Sequence, residues 1–185
     1  MKIALCIGHC PQDGGAVTTD GKWSEFSFWS AHLGAFVKAL EGLGHEAVVT
    51  NRAEAGGGSP SFAAKACNET GADLAIEFHF NSADSRSATG TETLYWHKSV
   101  KGRRAAELVN DAMCEVLRLP DRGVKAVCSA GDRAGNFFLK TRMPAILVEP
   151  CFAGSNVSDC DRLCERVSRV AVAVAKAVNE YFNIK

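Results

Sequence analysis

Short apolar runs of strand character alternate along this chain with longer stretches of helical period, and that alternation constrains the fold more than any other feature. Lys2 to Ile7 and Glu46 to Thr50 read as buried strands. Between them, Phe28, Ala31, Ala35, Phe36, Ala39 and Leu40 fall at helical spacing over Ser27 to Leu43, and Gly44 stops the helix. The loop from Ala55 to Pro60 leads into a short helix over Ser61 to Glu69, which Gly71 ends before a strand over Asp73 to His79. After a polar loop come a strand over Thr91 to Trp96, an amphipathic helix over Val100 to Leu117, a strand over Ala145 to Glu149 introduced by Pro144, and a closing helix over Asp159 to Tyr181. Such alternation predicts an α/β fold: a mainly parallel twisted sheet with helices on both faces, in three layers. The 185 residues, 46% of them hydrophobic, are enough for one domain with a proper core, and no repeat, linker or low-complexity tail divides them.

Charge excludes some partners. The 21 basic and 21 acidic residues cancel and no Lys/Arg run stands out, so neither nucleic acid nor an anionic lipid surface is an expected partner. The first apolar run reaches His9 too soon for a signal peptide, and no stretch is long enough to span a membrane. Cytoplasmic synthesis without membrane insertion is the expectation. The cysteines, at 6, 10, 67, 114, 128, 151, 160 and 164, form no CxxC pair, and free, mostly buried thiols are expected rather than a disulfide framework.

Right-handed crossovers bring the carboxyl ends of parallel strands to one edge of a sheet, where ligands of open α/β folds bind. His9, His79 and Glu149 each follow or end an apolar strand run, so the fold would collect them there. Each has an ordinary reading as well. His9 fits a turn, His79 a strand end, and Glu25 a helix start, where the dipole favours an acid. Glu149, directly after Ile146-Leu147-Val148, must be either paired or used. Two histidines and a glutamate can hold zinc with one position left open, and a further glutamate can act as base. That is equipment for hydrolysing an amide. His32, within a helix, and His45, just after its glycine stop, read as structural, while His97 follows a strand as either a groove or a loop residue.

These motifs resemble those of zinc-dependent N-acetylmuramoyl-L-alanine amidases. Gly8-His9, Asp13-Gly14-Gly15-Ala16 and Glu25, followed by Gly44-His45-Glu46-Ala47-Val48-Val49-Thr50-Asn51-Arg52, are similar to the N-terminal half of that family. Ile76-Glu77-Phe78-His79-Phe80-Asn81-Ser82 with Gly90-Thr91-Glu92-Thr93-Leu94-Tyr95 resembles the segment carrying its second zinc histidine. Arg122-Gly123-Val124-Lys125, then Pro144 to Phe152 with Asn156 and Asp159, resembles the segment carrying its catalytic glutamate. The sequence departs from the commonest pattern at Cys10-Pro11-Gln12, where a glycine-rich turn is usual, at Glu77, where serine is frequent, and at Pro150-Cys151. A strand tip of the form Glu-x-His-x-Asn, in a compact chain, is closer to the phage-endolysin branch.

The resemblance implies that His9, Glu25 and His79 hold Zn²⁺, that Glu149 is catalytic, and that the substrate is the amide between N-acetylmuramic acid and L-alanine in peptidoglycan. Residues 1–185 would then be a single catalytic domain without a separate wall-binding domain, a monomer that reaches the wall after release by a holin or by lysis. Glu77 and Asn81 share a strand face with His79. They are candidates for supporting a zinc ligand, Glu77 also for competing as one. Among Trp23, Trp29 and Trp96, the last is the first candidate for carbohydrate contact. Rival readings are an inactive wall-binding domain, a zinc peptidase of related fold, and a cysteine hydrolase using Cys10 or Cys151.

Overall fold

A computed structural model describes residues 1–183. The elements run β1 (Lys2–Ile7), α1 (Glu25–Glu41), β2 (Glu46–Asn51), a 3₁₀ turn (Arg52–Ala55), α2 (Pro60–Thr70), β3 (Leu74–Phe78), β4 (Thr91–Trp96), α3 (Val100–Leu117), β5 (Asp121–Val127), α4 (Gly135–Lys140), β6 (Ala145–Glu149) and α5 (Val157–Asn183). One six-stranded sheet has the order β2-β1-β3-β6-β4-β5. β2, β1, β3 and β6 are mutually parallel, whereas β4 meets β6 antiparallel and β5 follows β4 in parallel. The sheet is therefore mainly parallel, with its last two strands reversed.

Side-chain alternation sorts two cores. Ile3, Leu5, Ile7, Leu74, Ile76, Phe78, Ile146 and Val148 face α1, α3 and α5, and pack with Phe28, Trp29, Phe36, Met113 and Val170. The opposite face carries small groups, Ala4, Cys6 and Ala75, against Ala63, Ala64 and Cys67 of α2 and Phe137 and Phe138 of α4. Thin packing on that second face matters for the site, because Glu77, His79 and Glu149 share the strand parity of Ala75 and Leu147 and project to the same side.

Residues 118–143, to which the sequence reading gave no element, form β5 and α4. β5 lacks a clean alternation because it is an edge strand with mostly exposed or half-exposed side chains, and α4 is too short to show a helical period. The reversal of β4 also decides where Trp96 and His97 sit. Trp96 ends β4 opposite the carboxyl ends of the parallel strands and lies beside Ala145, Met143 and Phe138, with His97 next to it. Neither lines the candidate site. His32 stacks on Phe28 and His45 bonds Asn179, as structural residues do.

The ring of Phe78 lies 5.0 Å from those of both Trp29 and Phe36. Phe78→Ala is expected to cost about 3–5 kcal/mol in urea unfolding, whereas Val172→Ala, 48% exposed, should change stability by less than about 0.5 kcal/mol. Equal effects would contradict this core assignment.

Candidate active site

Six strand ends meet at one edge: the C-termini of β2, β1, β3 and β6 and the N-termini of β4 and β5. His9 follows β1 after Gly8, whose missing side chain is what makes room for the His79 ring. The stretch from His9 to Ser24 folds back through paired bridges, Cys10 with Asp13 and Val17 with Ser24, and delivers Glu25 as the first residue of α1. Ser24 and Ser27 cap that helix reciprocally. Gly15 holds a left-handed φ of 77°, and a side chain there would press on His9 and Glu25. Local turn chemistry thus fixes where Glu25 enters the site.

Glu25 is the hub. Its Oε2 accepts from His79 Nδ1 at 2.9 Å and from the Phe80 amide at 3.1 Å, and its Oε1 accepts from the Ala16 amide at 2.9 Å and lies 3.5 Å from His9 Nε2. Donor atoms of His9, Glu25 and His79 lie within 4.8 Å of one another, so these three form a possible metal site. The donor set fits zinc, which takes imidazole nitrogen and carboxylate oxygen. On the far side of His79, Nε2 faces Glu77 Oε1 at 3.6 Å and has no hydrogen-bond partner. Glu77, fully buried, pairs at 3.3 Å with Nη2 of Arg52, whose Nη1 donates to the Gly58 carbonyl. Arg52 supplies the counter-charge that such a carboxylate needs.

Glu149 lines the same cavity of about 370 Å³ with His9, Glu25, Glu77, His79 and Asn81. Its Oε2 is buried without a partner. Burial raises the Glu149 carboxyl to about 8, against the opposing pull of His79 and Arg133. Burial lowers His9, while burial pushes Glu25 up but is outweighed by the bond to and charge of His79 together with His9 and the Ala16 amide, so Glu25 is held low. For His79 burial also favours the neutral ring, but bonds to Glu25 and then Glu77 raise it to about 10.

Three residues that the sequence reading gave no role complete the edge. Glu92 stands opposite Glu149 in the β4–β6 register, and Arg122 and Arg133 both bond it, at 2.9 and 2.6 Å. Asn81, a candidate for supporting a zinc ligand, lines the cavity with His79, donates to Glu92 and accepts from Arg133. One signal for Glu92 was in the sequence: residues 79–90 hold no helix, so β4 could not be assumed to run parallel after β3. Cys10 and Cys151 are buried, and the Cys151 thiol donates to the Asp159 carbonyl with its pKa pushed well up by burial. That is the opposite of an activated nucleophile. All eight cysteines are free.

A larger groove between α3 and α5 contains none of these groups. Among the described residues, no helix is long and apolar enough to cross a membrane.

The family model of N-acetylmuramoyl-L-alanine amidases, Amidase_3, matches residues 3–180. The chain belongs to that family. It is 34% identical over 107 residues to the N-acetylmuramoyl-L-alanine amidase LytC of Bacillus subtilis (strain 168), an alignment covering 56% of this chain and 20% of LytC. A Clostridium perfringens protein is 32% identical over 120 residues, 61% of this chain and 33% of that protein. The chain therefore spans a fifth to a third of the length of these curated relatives. Its fold matches the catalytic domain of the amidase CwlV from Bacillus (Paenibacillus) polymyxa var. colistinus with a TM-score of 0.81 at 24% identity, covering 100% of this chain and 99% of that one. It also matches the catalytic domain of the CD27L endolysin with a TM-score of 0.77 at 23% identity, covering 96% of each chain.

Without metal, the bonds to Glu25 and Glu77 favour the doubly protonated His79 ring at neutral pH, and a metal ion taking a His79 nitrogen must displace one of those protons. Zinc affinity should accordingly rise with pH up to about 10 and fall below it, with a net release on the order of one proton per chain at pH 7. Calorimetric titration in buffers of differing ionisation enthalpy measures this. A binding enthalpy independent of buffer would contradict the His79 environment.

Proposed function

We propose that the protein is a zinc-dependent peptidoglycan amidase that hydrolyses the amide between N-acetylmuramic acid and L-alanine, with His9, Glu25 and His79 as metal ligands and Glu149 as the proton carrier. The observation that carries this reading is Glu149: a buried carboxyl with one unpartnered oxygen, sharing a cavity with three converging metal donors in a member of the amidase family.

Zinc, when bound, supplies a Lewis acid that polarises the scissile carbonyl and makes water acidic enough to deprotonate near neutral pH. The protein does the rest. Glu25 and the two imidazoles would hold the metal, and Glu77, 3.6 Å from Nε2 of His79, places a buried carboxylate beside that ring on the side away from Glu25. Glu149 takes a proton from the attacking water and returns one to the departing alanine nitrogen, so that the hydroxyl ends on the lactyl carbon and the hydrogen on the amine. The proton affinity that burial gives Glu149, near pH 8, suits a group that must both accept and donate.

Every proposed ligand and the proton carrier come from one chain, which supports a monomer, with residues 1–185 working as one catalytic domain. Likeness to an endolysin catalytic domain supports action on the wall after release from the cytoplasm. Expression inside a bacterium should then leave the wall intact until the inner membrane is permeabilised. Lysis without permeabilisation would refute that route.

Glu149→Gln should keep fold and zinc content while losing about 10²–10⁴ in cleavage rate on purified peptidoglycan. Substantial retained cleavage would overturn the mechanism, and loss of zinc would move Glu149 into the ligand set. Zinc competition titration separates the other carboxylates: Glu25→Ala should lose metal and activity together, and Glu77→Ala should weaken affinity on the order of 10–100-fold. The reverse order would make Glu77 the ligand.

A further inference from the structure

The antiparallel register between β4 and β6 places Glu92 directly opposite Glu149, both buried. Like charges in opposite register on one face repel. Arg133 spans the two. Its Nη2 donates to Glu92 Oε1 at 2.6 Å, its Nη1 donates to Asn81 Oδ1 at 2.8 Å, and that same Nη1 lies 3.6 Å from Glu149 Oε1 in an ion pair. Asn81 closes the ring by donating to Glu92 at 3.1 Å. Arg122 holds the other oxygen of Glu92, so that carboxylate is fully engaged. Glu149, by contrast, has Arg133 as its one ion-pair partner among the described residues, and its Oε2 has none.

The loop that carries Arg133 is built rather than slack. Asp132 Oδ2 accepts from the amides of Cys128 and Ser129, Oδ1 accepts from the Ser129 hydroxyl, and the Asp132 carbonyl accepts from the Gly135 amide. Immediately after Arg133, Ala134 takes a left-handed φ of 63°, a conformation that costs a non-glycine residue about 1 kcal/mol or more. Strain of this kind persists only where the surroundings enforce it. Its effect here is to turn the chain into α4 with Arg133 and Ala134 on the cavity wall.

We infer that Arg133 is a positioning residue that acts through Glu149: its guanidinium, anchored on Glu92 and Asn81, holds Oε1 of Glu149 and leaves Oε2 as the oxygen that exchanges the proton. The inference rests on the reading of Glu149 given above. A planar fork suits the task because it reaches two acceptors at fixed separation while its third contact faces the catalytic carboxyl. A lysine would offer one point charge.

The test uses the zinc-loaded protein and a purified muropeptide. Arg133 is half exposed on a loop, so Arg133→Gln should fold normally. Its kcat should fall about 10–100-fold, as a displaced catalytic group does, with KM and zinc content unchanged. Arg133→Lys should not restore kcat. Added guanidinium ion should partly restore Arg133→Ala and leave wild type and Glu149→Gln unaffected. Wild-type kcat in Arg133→Gln, full function in Arg133→Lys, or a loss that appears in KM or in zinc content would each overturn the inference. A second readout does not depend on activity: crystal structures of wild type and Arg133→Gln should show Glu149 moved or in two conformers in the variant. Glu149 unchanged there overturns the positioning role. If Glu149 does move but the wild-type protein cuts no muropeptide, the positioning role stands and the functional reading fails.

Discussion

Four carboxyl groups, Glu25, Glu77, Glu92 and Glu149, are buried within one end of one sheet, and the architecture around them follows from the need to compensate charge removed from water. Each finds a different solution. Glu25 spreads its charge over two backbone amides and His79, with His9 close by. Glu77 takes Arg52, and Glu92 takes Arg122, Arg133 and Asn81. Glu149 is left with a single ion pair at 3.6 Å and a carboxyl that burial pushes towards its neutral form. The least compensated member is the one for which we propose a moving proton, in keeping with environment setting acid–base roles.

That arrangement depends on asymmetry between the two sheet faces. Branched and aromatic residues fill the α1/α3/α5 side, while Ala4, Cys6, Gly8 and Ala75 leave space on the α2/α4 side for polar groups at the strand ends. Gly8 is the sharpest case, because any side chain there would occupy the His79 ring. Stability and reactivity are thus divided between faces: one core of large apolar groups supports a thin second face on which charged groups can meet.

His9, His79 and Glu149 were legible because each terminates an apolar strand, and parallel strands place such ends along one edge. Glu25 was less so, since an acid at a helix start has an ordinary explanation in the dipole, and only the fold of residues 9–24 carries it to the histidines. Reversal of β4 showed only as the lack of a crossover helix between residues 79 and 90. It sends Trp96 and His97 to the far edge and brings Glu92 opposite Glu149, a consequence of strand direction that local pattern does not encode. Arg133 lies in a turn with no periodicity, so its place depends on tertiary packing alone. Glu77 was visible as an unusual residue on the right strand face, but its partner Arg52 comes from the end of β2, across β1 in the sheet order.

The proposed reaction is hydrolysis, by these groups with zinc, of the bond between the glycan and the first amino acid of the stem peptide. Digestion of purified peptidoglycan, with mass analysis of the new ends in the presence and absence of a chelator, tests it most directly. The expected products are released peptides with free N-terminal alanine and intact glycan strands bearing unsubstituted muramic acid, both abolished by the chelator and recovered with zinc. New reducing ends, cleavage elsewhere in the peptide, or full activity in chelator would contradict it.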